Sequence, residues 1–254
     1  MLSVHRNVDF ERERNRMKKE EKFRVLLGIV ALGCIWGFLE AITFGGALHS
    51  HWGDFFPYHL CPCFLMAAIF GSLVMGIALA VYKKPAMLIG IGLVAAAFCW
   101  LAVPFLPTAV RSTHYGPVVA AATAAIMGSV SLALLAGFLM KRLERHILTR
   151  IGVGVLSALL ASVFFILATA YGLDKPICAD LGYARPLPDF LSIGGIAWMA
   201  LAAILFPLGY LTGEKAKAWL TSNMAKKLSL SYVGSVATIA FCCGLGAVAF
   251  MVGL

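Results

Sequence analysis

The sequence predicts an all-α, polytopic membrane protein of about seven spanning helices, with its N-terminus in the cytoplasm and its C-terminus on the far side. Three observations predict it. Of the 254 residues, 61% are hydrophobic and 13% charged, against about 45–50% apolar and about 25% charged in soluble domains, and the mean hydropathy is +0.89. A water-soluble core of this length cannot hide so much apolar surface, so the solvent is lipid. The apolar residues are gathered into seven stretches near the ~20 residues that a bilayer requires. The basic residues fall between those stretches and almost all on one side, as the positive-inside rule leads one to expect of a polytopic chain.

Residues 1–23 carry dense charge of both signs, including Arg12, Glu13, Arg14, Arg16, Lys18, Lys19, Glu20, Glu21 and Lys22. They read as a solvated cytoplasmic arm, helical or extended, whose first role is to orient the chain. The domain that follows is the bundle itself, residues 24–254. Its spans are expected at 24–48, 60–82, 86–110, 117–140, 150–172, 190–213 and 229–253. The first is too long for the apolar core of a cleavable signal and no small-x-small cleavage site follows it, so it reads as an insertion signal that stays in place. Turn chemistry punctuates the rest: Lys83-Lys84-Pro85, Gly116-Pro117 and the Pro-rich 174–189 segment. Pro104 and Pro107 are expected to bend the outer third of the third span, and Pro207 to kink the sixth near its inner side. The small residues Gly33/Gly37, Gly71/Gly76 and Gly152/Gly154 thin their helices where neighbours approach.

With the N-terminus inside, the cytoplasmic segments hold Arg6 through Arg24, Lys83 and Lys84, Lys141 through Arg150, and Lys215 through Lys227. That is eighteen of the 21 Lys and Arg; Arg111, Lys175 and Arg185 fall outside. A wrong helix count would scramble this alternation, so the charges support both number and direction. They also account for the net charge of +9 without nucleic acid, since no basic groove interleaved with aromatics is present.

The residues able to do chemistry gather at the outer face. Glu40 lies about two turns below the outer end of the first span, three residues after Gly37 and seven after Gly33. That spacing turns it toward the bundle. An ionisable side chain inside a span is costly, about 2.5–3.5 kcal/mol at the centre on insertion scales, and is functional by default. The first outer loop reads His49-Ser50-His51-Trp52-Gly53-Asp54, then Pro57-Tyr58-His59-Leu60-Cys61-Pro62-Cys63. His114 and Tyr115 are expected in the second outer loop, and Asp174, Cys178, Asp180, Arg185 and Asp189 in the third. Trp36, Trp52, Trp100 and Tyr115 have the character of pocket-lining aromatics, Trp52 and Tyr115 equally that of interfacial belt residues.

His49, His51, His59, Cys61 and Cys63 have the residue types of a transition-metal site for Zn, Cu, Ni or Fe, although their spacing matches no standard finger. Three other readings compete: interfacial histidines, a disulfide from Cys178 to Cys61 or Cys63, which an extracytoplasmic compartment permits, and simple packing of thiols at a helix end. Cys34, Cys99, Cys242 and Cys243, inside spans, read as small hydrophobes without a role.

Absent motifs narrow the chemistry. There is no phosphate-binding G-x-x-x-x-G-K-[ST] and no H-E-x-x-H, no C-x-x-C-H for covalent haem, and no histidine in the last span. An enzyme is therefore the less favoured class. Trp36-Gly37-x-x-Glu40 with Leu48-His49, followed by Pro57, resembles the opening of the substrate-binding (S) components of energy-coupling-factor transporters. The resemblance covers about one fifth of the chain. It implies a bundle of about six helices that captures a vitamin or metal at its outer face and borrows ATPase subunits through small residues of the first helix, here Gly33 and Gly37. The expected function is membrane transport or substrate capture of a small solute or transition-metal ion, with Glu40, Trp36, Asp54 and His114 on the substrate. A metal- or haem-binding redox subunit and a structural subunit of a larger complex are the alternatives. Its expected partners are the lipid bilayer and other membrane or ATPase subunits, in a bacterial or archaeal plasma membrane.

Overall fold

The computed structural model describes residues 2–45, 65–102, 108–172, 194–221 and 224–252. Among them every regular element is helical and no strand occurs, as expected of a chain that must satisfy its backbone within each lipid-spanning segment. Seven helices follow in order: α1 (Leu2–Gly45), α2 (Ala67–Tyr82), α3 (Ala86–Ala102), α4 (Thr108–Arg145), α5 (Ile147–Gly172), α6 (Ile196–Thr221) and α7 (Met224–Val252). By length and composition, Lys19–Glu40, Ala121–Arg145, Ile147–Ala168 and Ile196–Lys217 are long and apolar enough to cross a membrane. Within the described residues α2, α3 and the Val233–Gly246 part of α7 are shorter apolar helices. The chain is an integral membrane protein built as an all-α bundle.

The charged N-terminal arm is helical and runs without interruption into the first span, so α1 extends over 44 residues. Three boundaries differ from the sequence expectation. The third span does not reach 110: α3 ends at Ala102, and α4 is already helical at Thr108. Pro104 and Pro107, three residues apart, lie outside the described residues, between the end of α3 and the start of α4, and with them the expected bend; each lacks a backbone donor and disfavours helix in the residue before it. Gly116-Pro117 is not a break. It lies inside α4, which carries His114 and Tyr115 on a helix and not in a loop. α6 likewise continues past 213, with Lys215 and Lys217 on its extension and Pro207 in its interior.

The packing order is a ring, α1–α3–α4–α5–α6–α2, in which α2 returns to α1. α7 stands outside that ring and packs almost entirely on α1. The ring closes because small residues let backbones meet. A Cβ on Gly37 would lie 2.6 Å from Cβ of Phe98 and 2.9 Å from the Ala95 carbonyl of α3. On the other side, Gly76 of α2 lies against the backbone of Phe206 and Gly209, and Gly209 lies against the backbone of Leu73. Large apolar side chains such as Leu101, Phe138, Leu148, Ile204 and Phe241 point outward. A soluble protein does not expose such a surface and a lipid-solvated one does.

All the described basic breaks meet at one end of the bundle. Lys84, between α2 and α3, bonds Glu21 of α1 at 2.6 Å; Lys83 bonds Glu144 of α4 at 3.2 Å; Arg150 of α5 bonds Glu214 of α6 at 3.2 Å. The alternation read from sequence is therefore physical: segments far apart in the chain come together at a common basic end.

Candidate functional site

Trp36 and Glu40 are four residues apart on α1 and so share one face. From Glu21 at the basic end to Glu40 is about 28 Å of helix at 1.5 Å per residue, which places the carboxyl toward the opposite end. There α1 and α3 touch through Gly37, close enough for Glu40 to reach Cys99. Glu40 has no exposed surface. The Trp36 indole Nε1 donates to Oε1 at 2.6 Å, and the Cys99 thiol donates to Oε2 at 3.4 Å. Each carboxyl oxygen thus has a fixed donor, one of them a strong indole N–H and the other a weak thiol. The Phe38 ring meets Phe98 edge-on, with centroids 6.4 Å apart, on the same α1–α3 contact.

The Trp36 ring turns its other edge inward. It occupies the space that a side chain on Gly71 would need, 2.6 Å from where a Cβ would stand, beside the π-helical stretch Ala67–Gly71 that opens α2. Such π stretches often accompany functional sites. Trp36 then forms one wall of a central cavity of about 10 Å³ whose other walls include Ser72, Met75, Ser157, Trp198 and Phe206. That volume holds about one water molecule. Trp36 therefore connects the buried carboxyl, behind it, with the small space at the centre of the ring.

A second polar cluster closes the basic end. Arg150 is buried, and its fork is filled: Nε donates to the Leu143 carbonyl at 2.8 Å, Nη2 to the Glu144 carbonyl at 3.3 Å, and Nη1 and Nη2 each to Glu214 at 3.2 Å. Arg150 thereby caps the last carbonyls of α4 while pairing α5 with α6. Tyr210, fully buried, accepts a hydrogen bond from Lys83 Nζ at 2.6 Å. Its ring lies between two cations, with Lys83 Nζ 4.8 Å and Arg150 Cζ 4.1 Å from the centroid. Partial burial works against the charge on Lys83, but its bonds to Tyr210 and Glu144 outweigh that, and its pKa stands above the ordinary lysine value.

Of the residues expected at the site, the structure brings Trp36 and Glu40 together. His49, His51, Asp54, His59, Cys61 and Cys63 lie outside the described residues, as does Cys178, and with them the metal and disulfide readings. His114 lies on α4, where only its backbone is described. Trp100 is not a pocket residue; its side chain is 43% exposed on the outside of α3, because it follows Cys99 directly and a one-residue step turns about 100° around a helix. Cys99, expected to be inert, belongs to the Glu40 site. Gly33 and Gly37, expected to receive a separate subunit, are both occupied by α3 of the same chain. Trp198, Tyr210, Arg150 and Glu214 had drawn no functional reading; the last two differ from ordinary topogenic charge only in being three residues from the first residue of α5 and four from Tyr210.

Among the described residues no three His, Cys, Asp or Glu side chains are grouped to hold a metal ion. No protein-family model matches the chain, and no curated protein or solved structure is significantly similar to it.

Proposed function

We propose that the chain is a membrane transport protein, or the substrate-capture subunit of a multisubunit importer, binding a small solute or a transition-metal ion at the end of the bundle opposite its basic breaks. The observation that carries this reading is the complete burial of the Glu40 carboxyl within a lipid-spanning helix, held by Trp36 and Cys99. A purely structural bundle has no need of a group so costly to place there. The carboxyl is positioned to receive a cationic group or a proton, and Trp36 links it to the central cavity. The charge bias of the breaks, read by the positive-inside rule, makes this the extracytoplasmic end. The resemblance of Trp36-Gly37-x-x-Glu40 to the S components of energy-coupling-factor transporters supports the same class. A plasma membrane of a bacterium or archaeon is the location that this reading implies.

The test begins with protein purified in mild detergent without chelator or polyhistidine tag. Bound Zn, Cu, Ni and Fe are measured by elemental analysis beside the visible spectrum. Stoichiometric metal that is lost in His49→Ala, His59→Ala and Glu40→Gln supports metal capture, and a haem spectrum points to the redox class instead. If no metal is present, thermal stabilisation by a panel of vitamins and small cationic metabolites is compared between the parent and Glu40→Gln, since a ligand that binds only the folded state raises its stability. A compound that stabilises both equally, or uptake unchanged in Glu40→Ala, removes Glu40 from the substrate path and the proposal with it.

A further inference from the structure

We infer that the cluster centred on Tyr210 is the gate that closes the central cavity toward the basic, cytoplasmic end; the inference rests on the transport reading. Tyr210 follows Phe206 by one helical turn on α6, their rings 6.5 Å apart, and Phe206 is itself a wall of the cavity. Directly beyond Tyr210 stand Lys83 from the end of α2, Glu144 from the end of α4, Arg150 from the start of α5 and Glu214 from α6. Four helices thus meet at one buried ring, and every polar contact that holds them is an ion pair, a charged hydrogen bond or a cation lying over an aromatic face.

Two features favour a switch over a simple staple. Ion pairs to partly exposed carboxylates, here Glu144 and Glu214, are weak evidence for stability, because water competes for them. A charge-balanced set of hydrogen bonds, by contrast, has two discrete arrangements, made and unmade. The second feature is Lys83 itself. It sits at the C-terminal end of α2 with φ 55 and ψ 26, and among the described residues it is the non-glycine residue with positive φ. Lys83 closes α2 in the left-handed conformation, its N–H bonded to the Leu79 carbonyl at 3.0 Å; a lysine holds that conformation at greater cost than the glycine usual at a helix end, so its surroundings hold the joint. The residue after it, Lys84, precedes Pro85 and is itself steered away from helix. Releasing the Lys83 side chain from Tyr210 and Glu144 would free the joint between α2 and α3 at the same moment as it uncovers Tyr210.

The experiment reads access to the cavity and not uptake, so that a failure of the gate and a failure of the transport reading remain distinct. Ser157, a cavity wall on α5, is changed to cysteine in the full chain. Inside-out membrane vesicles are treated with Ag+, a membrane-impermeant thiol reagent little larger than water and so matched to the cavity, and modification at position 157 is read by peptide mass spectrometry as protection from alkylation after denaturation, with the native cysteines left in place. Modification is expected to be slow with the gate residues intact and at least about tenfold faster when Tyr210→Ala or Glu214→Gln is added, as a shift of the closed–open population requires. Where Tyr210→Ala does not yield folded protein, Lys83→Met decides, since it removes the charge and the bond to Tyr210 without opening a void. Fast modification with the gate residues intact overturns the inference, because the cavity is then open at that end. Unchanged slow modification in folded Glu214→Gln and Lys83→Met variants overturns it also, leaving the cluster as a structural staple.

Discussion

At the scale of single residues, burial converts ordinary side chains into specific ones. The Trp36 indole is large enough to fill the bundle and also carries one donor, and that donor is spent on Glu40. Trp36→Phe keeps most of the ring and removes the N–H. One buried carboxyl oxygen then loses its strong donor, which costs about 1–3 kcal/mol; the thermal midpoint of the detergent-purified protein is expected to fall, while Cys99→Ala, which removes only a weak thiol donor, is expected to cost less. Arg150 makes a second case. Its fork satisfies two main-chain carbonyls and a carboxylate together, a pattern that a lysine ammonium does not reproduce. Arg150→Lys should therefore destabilise by about 2–3 kcal/mol, discounted from the cost of breaking a fully buried pair because Glu214 is partly exposed; an unchanged midpoint would show the fork to be dispensable. Glu40 was legible in the sequence because an acid inside an apolar run stands out. Cys99 was not, because its role follows from a contact across 59 residues that exists only once Gly37 has brought α3 against α1. Arg150 and Glu214 were hidden in a different way: positive-inside charge and buried ionic clusters use the same residue types at the same end of a helix.

Elements show where pattern reading succeeds and where it slips. Apolar length located each of the described helices, the four long enough to cross a membrane most plainly, since the ~20-residue requirement of a bilayer is a strong constraint. The ends were less secure around the prolines. Proline in an apolar run can break a helix or sit within it, and the outcome depends on whether neighbouring groups take up the freed carbonyl. Pro117 and Pro207 sit within helices, whereas Pro104 and Pro107 fall between the described ends of α3 and α4. The glycines sort by what faces them. Gly209 lies against the backbone of Leu73, whereas nothing comes within 4 Å of a Cβ at Gly152. Backbone cannot move aside as a side chain can, so Gly209→Ala should push α6 away from α2 and cost about 1–3 kcal/mol. Gly152→Ala should be neutral or slightly stabilising, by up to about 1 kcal/mol, through the better helix propensity of alanine. Equal effects of the two substitutions on the thermal midpoint would contradict the packing of α2 on α6.

Among the described residues the molecule is a six-helix ring with α7 applied to its outside, and its topology makes the strongest claim open to direct measurement. α7 meets α1 through an apolar patch of Cys34 and Cys242, joined by Phe98 of α3, with Val30, Ile35 and Ile239 around it. In lipid this patch gains little from being covered, since acyl chains are as apolar as the helix they replace. Removing residues 222–254 is therefore expected to leave a chain that inserts and elutes as one species in detergent; loss of the folded species would show that α7 stabilises the ring. The same helix decides the side on which the chain ends. Six spans would return the C-terminus to the basic, cytoplasmic end, whereas a seventh crossing by α7 would carry it to the opposite side. A reporter enzyme active only outside the cytoplasm should therefore be active when fused after Leu254 and inactive when fused in the 222–223 segment between α6 and α7. Activity in the reverse order would invert the assignment of the basic end to the cytoplasm and with it the placement of Glu40 on the side from which a solute arrives. Activity at neither site would mean that α7 lies along the membrane and does not cross it, leaving a six-span bundle with both termini inside.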